Sequence, residues 1–66
     1  MSPTEAAATL LTAIGWSRIT PTELLASSLA YGVARTRAVR EPEHRQGVVA
    51  EAVAVLDEWH YHRETA

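Results

Sequence analysis

The stretch LASSLAYGVARTRA, residues 25 to 38, places alanine at every fourth position: Ala26, Ala30, Ala34 and Ala38, with Gly32 among them. Steps of four residues advance about 40° around an α-helix, so these methyl groups trace a winding ridge along one edge. A solvated helical edge ordinarily carries Glu, Lys, Gln or Arg. Here Ser27 joins the alanines, and Glu23 and Arg37 are the only charges close by. Small side chains let a second backbone approach, and ridges of i±4 residues fit the grooves of a crossing helix. Alanine is also the best helix former. A chain whose basic residues are all arginine, with lysine and asparagine absent, has the bias of GC-rich coding sequence, which enriches alanine whatever the fold.

Two matching punctuation marks set the helices around this stretch. SPTE (residues 2–5) and TPTE (residues 20–23) each offer a hydroxyl N-cap, proline in the first turn and a glutamate three residues on that can reach back. Ile19 precedes the second cap and can pack on Leu24 as a hydrophobic staple. The first helix is expected over about 3–14, with Ala6, Leu10, Leu11 and Ile14 inward, Gly15 as its left-handed stop and Trp16 folded back on Leu11.

The second helix is expected over about 21–40. Leu24, Leu25, Ser28, Leu29, Gly32, Val33 and Thr36 are read as its inner face at i, i+3, i+4 spacing. Pro42 forces a break at Glu41. The third helix is expected over about 43–62, where Val48, Val49, Ala52, Val53, Val55, Leu56 and Trp59 cover roughly 160° of its circumference. GVVAEAVAV also has the β-branched content of a strand, but Glu51 and the alanines favour helix.

The expected fold is therefore all-α, a single small helical domain over residues 1–66. The second and third helices, each about 30 Å long, form an antiparallel hairpin with the shorter first helix as an accessory clamp. With one face of the second helix leucine-rich and its other edge lined by alanine, that helix is apolar or neutral nearly all round, and such a helix is usually buried. A chain of 66 residues has a marginal core. Cysteine is absent, so neither disulfides nor thiolate metal sites can reinforce it. These features predict a homodimer in which two hairpins form a four-helix-like bundle core. Its protein-binding surface is Ala26, Ala30, Ala34 and Ala38 together with Val48, Val55 and Trp59. Ala30→Glu or Ala34→Glu is then expected to break assembly and spare helicity.

Composition narrows the function classes. A net charge of −2 gives no bulk attraction to nucleic acid or anionic membrane. The amino terminus lacks a secretory pattern, and no apolar run approaches the ~18 residues of a spanning helix. A cytoplasmic location is expected. DEWHYHR (residues 57–63) brings His60 and His62 near Asp57 and Glu58. Two residues apart on a helix, the rings point roughly 200° away from each other. Only Asp57 with His60, or Glu58 with His62, can share a face, and two ligands fall short of the three or four that zinc takes from protein. His44 or a second subunit would have to complete such a site. His60 is read as a satisfied histidine at the edge of the core, and Trp59 as a core or interface anchor. No nucleophile–base–orienter set, glycine-rich phosphate cradle or carboxylate pair is present. The chain is read as a non-enzyme without a cofactor or metal, acting through protein contact as a regulator, adaptor or assembly component.

The alternative comes from YGVARTRAVR (residues 31–40). It resembles the turn and recognition-helix stretch of helix-turn-helix repressors over about ten residues. Gly32 and Val33 match and Arg40 matches approximately, whereas Ser27 stands where that family carries an apolar residue and Val39 is out of register. The resemblance implies a DNA-binding regulator whose Arg35, Thr36 and Arg37 face the major groove, with Arg40 and Arg45 completing a basic cluster. It requires Gly32 to break the second helix. On an unbroken helix Arg35 projects about 160° from Arg37, which makes no basic stripe.

Overall fold

The computed structural model describes residues 1–41 and 46–65. Among them the chain is all-helical, with four helices: α1 (Pro3–Ile14), α2 (Pro21–Ala26), α3 (Ser28–Arg40) and α4 (Val48–Thr65). None of these helices is long and apolar enough to cross a membrane.

The punctuation works as the capping chemistry requires. Ser2 accepts a hydrogen bond from the Glu5 amide at 3.2 Å and opens α1. Gly15 closes it with φ 70 and ψ 27, a left-handed conformation that costs glycine little. The Gly15 amide donates to the Thr12 carbonyl and the Trp16 amide to the Leu11 carbonyl, the paired bonds of a Schellman ending. Thr20 opens α2 with a reciprocal box. Its hydroxyl accepts from the Glu23 amide at 3.1 Å, and the Glu23 carboxylate accepts from the Thr20 amide at 3.4 Å. Thr20→Ala removes one half of that box and is expected to cost about 1 kcal/mol in urea unfolding.

The second helix departs from expectation in one decisive place. It is two helices, broken at Ser27 rather than at Gly32, which lies inside α3. Ser27 takes an extended conformation (φ −118, ψ 107), ends α2 by donating its amide to the Leu24 carbonyl, and caps α3 by accepting from the Ala30 amide at 3.2 Å. One serine is therefore both a stop and a start. The turn demanded at Gly32 by the helix-turn-helix resemblance is absent from α3.

The break also sets which side of α3 faces inward. Ala30, Tyr31, Ala34 and Ala38 are buried, whereas Ser28, Leu29, Gly32, Val33 and Thr36 are exposed. The expected inner and outer faces of this segment are thus exchanged beyond Leu25. The alanine ridge is a packing surface, as its smoothness implies, but at Ala30, Ala34 and Ala38 the chain's own core covers it. Ala26, at the end of α2, is exposed.

The core is organised around α1. This helix packs most extensively against α4 and also against α2 and α3. Ala6, Ala7, Leu10, Leu11 and Ile14 supply its buried side, which meets Leu24, the α3 alanines, Ala52 and Leu56 in one cluster. The accessory clamp of the sequence reading is therefore the hub, and the expected hairpin of the two long helices is not the main pairing. Short alanine side chains bring α3 onto the central cluster, while long side chains bridge α3 to α4. The α4 helix starts at Val48 instead of about 43, after Gly47 at φ 64, whose carbonyl accepts the first helical bond from the Glu51 amide. A left-handed residue does not continue a right-handed helix, so Gly47 marks the boundary of α4, and the expected start at about 43 lies outside the described residues.

Candidate contact surface and the bridge behind it

The most unusual solvent-facing feature is the outer side of α3. Leu29 is 81% exposed and Val33 44% exposed, on a stripe that continues through Gly32 and Thr36. These residues recur at i, i+3, i+4 and i+7 and so share one face. Together with Ser28 they line a shallow groove, with Arg37 and Arg40 at its carboxy-terminal end. A Cβ added at Gly32 would meet nothing within 4 Å, so the middle of the groove is open space. Leaving a leucine in water forfeits about 2 kcal/mol of burial free energy. A helix that faces solvent ordinarily avoids that arrangement.

Behind this face, side chains tie α3 to α4. The Tyr31 hydroxyl donates to the Asp57 carboxylate, and the Arg35 guanidinium pairs with the same carboxylate at 2.6 Å. Burial is the main cause, and the hydrogen bond to Asp57 the second, that holds the Tyr31 phenol well above its ordinary range and keeps it protonated. For Arg35 the hydrogen bond to Asp57 is itself the main cause, and it strengthens the hold of the guanidinium on its proton. Arg35 and Asp57 are each nearly half exposed, so their ion pair contributes no more than about 1 kcal/mol. The Tyr31 ring stacks on His60, with centroids 3.8 Å apart and planes at 22°. Trp59 meets His60 edge-on at 4.9 Å and lies 5.1 Å from the Arg63 guanidinium. Arg63 in turn donates to the Leu25 carbonyl, one of the carbonyls left without a helical partner where α2 stops.

The residues singled out from sequence are thereby dispersed. Ala30, Ala34 and Ala38 are spent inside the chain, and Val55 is half-buried against the core. Val48 is exposed at the start of α4, while Trp59 is partly covered beside His60. Among the arginines of the nucleic-acid reading, Arg35 is paired with Asp57 on the side of α3 away from Arg37. Arg37 and Arg40 lie at the exposed groove. Arg45 and His44 lie outside the described residues. His60 is not at the edge of the core but buried, and its Nε2 has no hydrogen-bond partner. His62 is exposed and approaches Glu58 at 4.0 Å. No group of three or more potential metal ligands occurs among the described residues. Sequence reasoning missed both the Leu29–Val33 stripe as an outer face and the Tyr31–Asp57–His60 bridge. The Ser27–Ser28 pair was the available signal for the first. The second spans two helices and leaves no local pattern.

No protein family, curated protein or solved structure matches the chain.

Proposed function

We propose that the chain is a non-enzymatic contact protein that pairs with a second copy of itself through the outer face of α3. The observation that carries this reading is Leu29, four-fifths exposed in the same stripe as Val33 and the open Gly32 position. A second α3 crossing at Gly32 can come close because no side chain intervenes there, and each Leu29 then has a neighbouring helix to cover it. A two-fold arrangement lets one patch serve as both halves of the interface. This role belongs to a small regulator, adaptor or assembly component. The surface differs from the alanine ridge expected from sequence, while the mode of action is the same.

Sedimentation equilibrium of the wild type and Leu29→Glu tests the proposal. The wild type is expected to sediment as a dimer and the variant as a monomer of unchanged helicity, since the substituted position faces water in the single chain. A wild type that stays monomeric at high concentration, or a dimer indifferent to Leu29→Glu, overturns it. Binding to non-specific duplex DNA that falls steeply with salt and weakens in Arg37→Ala would instead carry the DNA reading.

A further inference from the structure

We infer that His60 is an acid-sensitive latch whose protonation releases α3 from α4. The imidazole is only 6% exposed, lies flat against Tyr31, and holds a buried Nε2 that no group contacts by hydrogen bond. A neutral ring tolerates that setting through stacking. A protonated ring has two donors and a charge, and burial of an unpaired charge is costly.

The carboxylates around it are either engaged or out in water. On α4, Asp57 lies one turn before His60 and is already occupied by the Tyr31 hydroxyl and Arg35 of α3. Glu64, one turn after, is exposed, and Arg63 adds a like charge. The only ionisable side chain of α1 is Glu5, exposed in its first turn. That of α2 is Glu23, engaged in its own capping box. A proton on His60 therefore draws Asp57 away from Tyr31 or turns the ring outward, toward Glu64 and water. Either course breaks the side-chain bridge between α3 and α4.

Burial is the main cause that holds the imidazole below its ordinary value of 6.5. Arg63 adds to the effect, and Glu64 and Asp57 oppose it. The unfolded chain accordingly takes up a proton near 6.5 that the folded chain accepts only at lower pH. Stability is full above about 6.5 and falls as pH drops from there to the lower folded value.

Urea unfolding of the wild type and His60→Phe between about pH 8 and about pH 5 tests the latch, because phenylalanine keeps a stacking ring without a titrating nitrogen. The unfolding constant of the wild type is expected to rise several-fold more than that of the variant. An identical pH dependence overturns the inference. Should His60→Phe fail to fold, proton NMR of the wild type decides. A His60 midpoint below 6.5 with loss of Tyr31–His60 ring contacts on acidification supports the latch. A midpoint at or above 6.5, or ring contacts that persist through the titration, overturns it.

Discussion

Ala34→Glu is expected to unfold the chain. Ala34 has no exposed surface and lies in the central cluster with the α1 side chains. A carboxylate there must be desolvated without a partner, at a cost of several kcal/mol. A single core in a domain of this size rarely supplies more than about 3–5 kcal/mol in total. Far-UV circular dichroism should therefore show loss of helicity and not merely loss of assembly. Retained helicity with a change of mass alone would place the ridge on the outside and refute the packing described above. The same substitution discriminates between the two readings of residues 25–38, since the outward ridge expected from sequence leaves the helices intact.

A pair of leucine truncations makes the second large contrast. Leu10 is fully buried at the centre of α1, against the other helices of the core. Leu10→Ala is expected to destabilise the chain by about 3 kcal/mol, the combined loss of burial and creation of a cavity. Leu29→Ala, in dilute solution where the chain is single, is expected to change stability by less than about 0.5 kcal/mol. Urea midpoints of the two variants measure the difference. Equal losses would mean that Leu29 is covered within the chain.

The parts of this fold that sequence revealed are those governed by neighbours along the chain. The span of α1, its glycine stop, the opening of α2 at Thr20 and the end of α3 at Arg40 all follow from local capping and backbone chemistry. The orientation of α3 did not follow, because apolar residues occupy both of its sides. Leu29 and Val33 are larger and more apolar than Ala30, Ala34 and Ala38, so periodicity ranks the wrong side as inner. Steric fit decides otherwise, since α3 closes against α1 through its small residues. Ser27 and Ser28 were the one polar pair in an otherwise apolar run from Leu24 to Ala30, a weak mark of a break. The Ser-x-x-Ala context of Ser27 lacks the glutamate that marks the box at Thr20. For the candidate surface, sequence indicated excess apolar flank on this segment but assigned it to the opposite edge. The Tyr31–Asp57 and Tyr31–His60 contacts join positions far apart in the chain, and no spacing rule connects them.

The hub position of α1 governs how the molecule can be made. Its most extensive partner is α4, the helix farthest from it along the sequence, so α1 lacks its chief neighbour until α2, α3 and α4 have all followed it out of the ribosome. Until then Leu10, Leu11 and Ile14 stay open to chaperones and proteases, and a nascent chain arrested before Leu56 lacks the side chain that closes the α4 side of its interior.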